Sequence, residues 1–255
     1  MTSIAAKLVN SVLKPLRLEL VRTSNGKDEW PYDLSDLQRK VLQKVEPFTM
    51  TTPERIAVLV DAIGHIESHN IQGDIVECGV WRGGSAMAMA ETLLEHGSRQ
   101  RHLWLYDTFE GMSDPTDVDT SYDGMPAADQ LARTEKTAAR SVWCVSPFDE
   151  VRENMASTSY PEDKITLVKG KVEDTIPETV PDRIALLRLD TDWYESTKHE
   201  LEHLYPRLVK GGILIIDDYG FWQGARKAVD EYFLGKDLAP MLCRVDSSAR
   251  IGVKQ

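Results

Sequence analysis

From about residue 75 the chain repeats one texture. Short apolar runs, "DIVECG", "RHLWLYD", "KITLVKG", "IALLRLD" and "GGILIIDD", are separated by stretches long and amphipathic enough to be helices. Apolar runs of strand length that alternate with helices imply a parallel sheet with both faces covered, an α/β fold. The intervening helices are predicted over 84–97, 147–157, 193–209 and 222–235, the second with Ser146 as cap and Pro147 at its first position. The last two apolar segments, "MLCRVD" and "ARIGVKQ", are joined through two serines and read as an antiparallel hairpin. Upstream, Leu34, Leu37, Val41, Leu42 and Val45 have helical spacing over 34–46, and "TTPERIAVLVDAIGHIESHN" starts a helix with Thr52 as cap and Pro53 behind it. At 255 residues and 42% hydrophobic content, one large domain can bury this core.

Charge and cysteine usage narrow the function. Thirty basic against 41 acidic side chains give a net charge of −11, a field that repels phosphate backbones and argues against a nucleic-acid partner. Cys78, Cys144 and Cys243 are odd in number and have neither CxxC nor metal-finger spacing, which suits a reducing compartment. The first twenty residues are broken by Lys7, Asn10, Lys14, Pro15 and Arg17, far from a membrane span or a secretion signal, so a cytoplasmic protein with no membrane partner is expected. One segment breaks the alternation. Almost sixty residues separate the second and third strands, and "SDPTDVDTSYDGMPAAD" within them is rich in Asp, Pro, Gly and Thr. It leaves the carboxyl edge of a strand, where open α/β sheets bind ligands, and reads as a lid over about 113–145.

Acidic residues close the predicted strands: Glu77, Asp107, Asp190 with Asp192, and Asp217 with Asp218. The sheet gathers them on one rim. After Glu77 comes a turn with Gly79, Gly83 and Gly84 and then a helix, suited to an anionic ligand or simply to a tight turn. Asp107 is placed to bind ribose hydroxyls or to cap its loop. Asp190, Asp217 and Asp218 repel one another unless a cation or protons intervene, and hard oxygen ligands point to magnesium or calcium. Asp192 has a structural alternative, capping the helix that follows it with Glu195 as partner. His199 and His203, four apart on one helix face without a third ligand, read as a solvated face. Trp193 either lines an acceptor pocket or packs, and Cys78 reads as a small buried residue. "DTD" also fits the metal site of a DxD glycosyltransferase, whereas the missing GxGxxG disfavours a nicotinamide dehydrogenase.

Five stretches together, "GDIVECGVWRGGSA", "LYDTFEGM", "VKGKVEDTIPE", "LLRLDTDWYESTKHELEHLYPRLVKGGILIIDDYG" and "WQGARKAVDEYF", resemble the macrocin O-methyltransferase family in order and spacing, from about residue 47 to the end. The resemblance implies a class I S-adenosylmethionine (SAM) dependent methyltransferase fold: a seven-stranded, mostly parallel sheet whose last strand is antiparallel. It further implies an O-methyltransferase that uses SAM and Mg²⁺ on a sugar or polyhydroxylated natural product, as in antibiotic biosynthesis. On this resemblance Glu77, Gly79 and Ser85 would meet the amino-acid and ribose portion of SAM, and Asp107 its ribose. Glu173 and Asp174 would meet the adenine, and Met50 and Thr51 the methionine moiety. Asp190, Asp217 and Asp218 would hold the metal, and Asp192 would be the general base. Residues 1–46 become an N-terminal helical extension and 47–255 the methyltransferase domain, with a homo-oligomer, a dimer or larger, expected. A non-catalytic SAM-binding module is the alternative from another class.

Overall fold

In a computed structural model, residues 30–136 and 141–255 are described, and Leu34–Gln255 form one compact unit. Residues 1–29 of the extension expected over 1–46, and residues 137–140 of the lid segment, lie outside the described residues. Seven strands form one sheet: β1 (Asp74–Cys78), β2 (Leu103–Asp107), β3 (Ile165–Lys169), β4 (Ile184–Leu189), β5 (Leu208–Ile216), β6 (Cys243–Arg244) and β7 (Arg250–Val253). Their order is β3-β2-β1-β4-β5-β7-β6. The first five are parallel, and β7 runs antiparallel to both β5 and β6, as the terminal hairpin predicts. Every residue of β4 is buried, which is the physical basis of its apolar run, broken only by Arg188.

The helices are α1 (Asp36–Val45), α2 (Pro53–Ser68), α3 (Gly84–Glu95), α4 (Ala127–Arg133), α5 (Phe148–Ser157), α6 (Val172–Thr175), α7 (Tyr194–His203) and α8 (Gln223–Phe233). Helix α1 opens on a capping box in which Ser35 and Gln38 satisfy each other's backbone N–H groups. It packs on α2 and α3, so the compact unit begins before residue 47. Helices α7 and α8 pack together, and Leu201, Leu204 and Val229 join Val76, Leu187, Leu189, Leu214 and Ile216 in one core.

One element is shorter than its sequence pattern. The helix expected over 193–209 stops at His203; a single 3₁₀ turn containing Pro206 follows, and β5 starts at Leu208. Proline cannot supply the next helical N–H, and "LVKGG" is taken into the strand instead. The connections reverse direction between β1 and β4. That switch point, at the carboxyl ends of the strands, is where a doubly wound sheet leaves a crevice.

Candidate functional site

A cavity of about 240 Å³ occupies this crevice. The ends of β1, β2, β4 and β5, the segment before α2 and the segment after β2 all contribute to its wall. Gly79 makes the packing possible: its φ is +84, and a Cβ there would lie 1.9 Å from the Asp190 carbonyl oxygen. The loop after β1 therefore lies directly on the end of β4. Of the residues expected to hold a cofactor, Met50, Thr51, Gly79, Ser85, Asp107 and Glu173 line the cavity; Glu77 and Asp174 do not. Glu77 is fully buried behind the wall, with Oε1 on Arg188 and Oε2 lacking any donor. Both oxygens of Asp107 are engaged. Oδ2 accepts the Val80 and Trp81 N–H groups at 2.7 and 3.0 Å, and Oδ1 accepts that of Phe109 at 2.7 Å, so the residue fastens the glycine loop to β2.

Three carboxylates approach closely at the ends of β4 and β5. Oxygens of Asp190, Asp192 and Asp218 all lie within 4.8 Å of one another. This trio differs from the expected Asp190, Asp217 and Asp218. Asp217 lines the same cavity, but its Oδ1 accepts from Arg188 Nη2 at 2.8 Å and its Oδ2 pairs with Arg55. Burial and mutual repulsion hold the Asp190 and Asp218 carboxyls well above the usual carboxylate range. Burial also lifts Asp192 to about 7, against the opposing effect of hydrogen bonds shared with Asp218 and the Trp222 side chain. Asp218 Oδ2 is buried with no donor. Three crowded oxygen ligands, one of them orphaned, fit a hard divalent cation.

Asp192 does not cap the following helix. Helix α7 begins at Tyr194, whose N–H is accepted by Asp119 Oδ1 at 2.8 Å. Asp192 instead holds φ +67, and Trp81 and Cys144, also on the cavity wall, have φ +48 and +47. Non-glycine residues in this region are strained, and such strain gathers at functional sites. Trp193 packs rather than lining the cavity: it is buried edge-on against Trp222 at 4.9 Å, and its indole N–H reaches the Ser113 carbonyl at 3.0 Å. The His199 and His203 rings meet at 4.4 Å, tilted by 50°, with His199 Nε2 2.8 Å from the Ile176 carbonyl oxygen, a structural contact.

Sequence reasoning missed two arginines. The guanidinium of Arg188, buried in β4, meets Glu77 at 2.7 Å, Asp190 at 2.7 Å and Asp217 at 2.8 Å. Arg55 of α2 joins Asp217 to Asp246 of the terminal hairpin. A charge inside the apolar run "IALLRLD" was the available signal, since a buried arginine requires carboxylate partners.

Comparisons with known proteins give the family and the fold. Residues 16–251 match the family model described as macrocin-O-methyltransferase (TylF). The chain belongs to the macrocin O-methyltransferase family. It is 34% identical over 198 residues to demethyldecarbamoylnovobiocin O-methyltransferase of Streptomyces niveus, covering 78% of this chain and 72% of that one. It is 32% identical over 184 residues to mycinamicin III 3''-O-methyltransferase of Micromonospora griseorubida, covering 72% and 69%. Among solved structures it resembles the O-methyltransferase NovP, with a TM-score of 0.71, 32% identity and 82% of each chain covered. An O-methyltransferase from Bacillus cereus in complex with SAH superposes with a TM-score of 0.52 at 14% identity, covering 97% of each chain, a likeness of fold alone. The fold is that of class I SAM-dependent O-methyltransferases, and the family's chemistry is methyl transfer. Among the described residues no helix is long and apolar enough to cross a membrane.

Proposed function

We propose that this chain transfers a methyl group from SAM to a hydroxyl of a sugar or polyhydroxylated natural product, with Asp192 as general base and a magnesium ion beside it. The observation that carries the reading is Asp192 itself: a carboxyl held at φ +67 on the wall of the crevice, within 4.8 Å of two further carboxylates. The named acceptors of the relatives, mycinamicin III among them, support a small-molecule glycoside as substrate class.

The chemistry asks little of the protein beyond alignment, exclusion of water and removal of one proton. The bound SAM supplies an activated methyl on sulfur, and Mg²⁺ held by Asp190 and Asp218 would lower the pKa of an acceptor hydroxyl. Met50, Thr51, Gly79, Ser85, Asp107 and Glu173 would cradle the donor along the wall they share. Asp192 takes the hydroxyl proton on a carboxylate oxygen. With the hydroxyl acidified in this way, a carboxylate of ordinary basicity suffices to accept its proton. Arg188 fixes Asp190 from behind, and Ser113 and Cys144, at the two ends of the lid segment, close the acceptor's side of the cavity.

The test is an assay with labelled SAM and a panel of neutral glycosides. Label should move to an acceptor oxygen in the presence of Mg²⁺, and transfer should stop with a chelator. SAM binding without transfer to any glycoside would favour a non-catalytic module.

A further inference from the structure

The first N–H groups of a helix have no partner within it, and something must accept them. For α7 the sequence offers Asp192, at its doorstep; the structure uses Asp119, 75 residues upstream in the segment between β2 and β3. Asp119 is 1% exposed. Its Oδ1 accepts the Tyr194 N–H at 2.8 Å, and its Oδ2 accepts the Thr116 N–H at 2.7 Å and hydroxyl at 2.9 Å. The carboxylate lies against the first turn of α8, where a Cβ on Gly224 would come within 1.9 Å of Asp119 Oδ1. Beside it, Gln223 donates its backbone N–H to the Thr120 carbonyl at 2.8 Å and its side-chain amide to the Ser121 carbonyl at 2.9 Å. Ser121 also pairs with Trp222, the residue whose side chain hydrogen-bonds Asp192. One carboxylate from the lid segment therefore sits where the N-termini of α7 and α8 converge, and these helices follow the strands that carry the clustered aspartates.

We infer that Asp119 is a positioning residue for Asp192: it occupies the cap of α7 from the lid segment, so that the Asp192 carboxylate is free to stand with Asp190 and Asp218. With Asp119 withdrawn, the Tyr194 N–H is orphaned, and Asp192, two residues before it, is the nearest side-chain acceptor on its N-terminal side, where helix caps lie. The functional meaning rests on Asp192 being the base; the exchange of caps does not.

Amide hydrogen exchange at Tyr194 separates the possibilities. Asp192→Ala should leave its rate within about twofold of wild type, because Asp119 holds the cap. Asp119→Ala should quicken it only modestly, because Asp192 takes over. The Asp119→Ala/Asp192→Ala double variant should exchange about tenfold faster again, the loss of a full side-chain cap. Asp119→Asn, which keeps an acceptor oxygen, should restore protection. Gly224→Ala displaces the carboxylate without removing it and puts a better helix former in α8, so it should match Asp119→Ala if the latter folds poorly. A crystal structure of Asp119→Ala or Gly224→Ala should show the Asp192 carboxylate on the Tyr194 N–H. A double variant that exchanges no faster than Asp119→Ala, or an Asp192 unmoved in those crystals, overturns the inference. Unchanged turnover in Asp192→Asn would instead sink the base assignment and leave these rates untouched.

Discussion

Arg188 is the residue on which the site's charges turn. Its guanidinium is enclosed by β4 and faces three carboxylates, two of them on the cavity wall. Removing one partner from a buried ionic cluster leaves the others uncompensated, at about 3–5 kcal/mol. Arg188→Met should therefore lower unfolding stability by about that much in urea melts, more than replacement of any surface arginine. Asp192 behaves in the opposite sense. Its folded pKa of about 7 lies above the ordinary aspartate value, so the folded state binds more protons than the unfolded one between roughly pH 4 and 7. Stability is unaffected by this group below that window and falls as pH rises through it. Asp192→Asn removes the penalty: its melting temperature, measured with chelator present, should exceed that of wild type at pH 8 and match it near pH 4. The same substitution should lower turnover about 10²-fold or more at pH 8, where the wild-type base is ionised. A variant that is both more stable and nearly inactive is the signature of a preformed base.

Whole elements are held in register by close approaches that a side chain would block. Gly79 combines a positive φ with backbone contact to Asp190, so Gly79→Ala must push the loop after β1 away from the end of β4. It should cost more than about 1 kcal/mol of stability and weaken S-adenosylhomocysteine (SAH) binding in calorimetry by a larger factor than a cavity-wall substitution such as Ser85→Ala. The elements themselves were legible in the sequence because burial on both faces leaves a mostly apolar run, unbroken at the end of β5 and interrupted by one buried charge in β4, while Thr52 and Pro53 mark a helix start by chemistry alone. The early end of α7 was masked by apolar Leu204 and Leu208, which continue the helical spacing although Pro206 breaks the hydrogen bonding. The rim acids were legible for the same local reason, each closing a strand. Their partners were not: whether Asp217 meets a cation or two arginines, and whether Asp192 or Asp119 caps α7, is decided by residues 29 to 162 positions away. Local pattern carries no information on that choice.

At the scale of the whole molecule, the carboxylate cluster sits on the ends of β4 and β5, strands in the interior of the sheet, so occupancy of the site is linked to global stability rather than to a loop. Crowded carboxylates repel, and a net charge of −11 deepens the unfavourable potential around them. A ligand that binds only the folded chain stabilises it by an amount set by its concentration over its dissociation constant, about 2.7 kcal/mol at a hundredfold excess. Mg²⁺ should therefore raise the melting temperature at pH 8, where the cluster is most nearly ionised, and the shift should shrink as the pH falls and protons compete. Asp190→Asn and Asp218→Asn should each abolish the Mg²⁺ shift while leaving most of the shift caused by SAH, since the substitutions keep the side-chain shape and the donor's other wall residues. The third ligand is read from the same titration. Loss of the shift in Asp192→Asn makes Asp192 a ligand and withdraws it from the base role, whereas loss in Asp217→Asn selects the trio that strand-end position suggests. In the second case the arginines Arg55 and Arg188 must release Asp217 as the ion binds, and the Asp217→Asn protein should also melt lower than wild type without metal, having left both guanidinium groups short of a carboxylate.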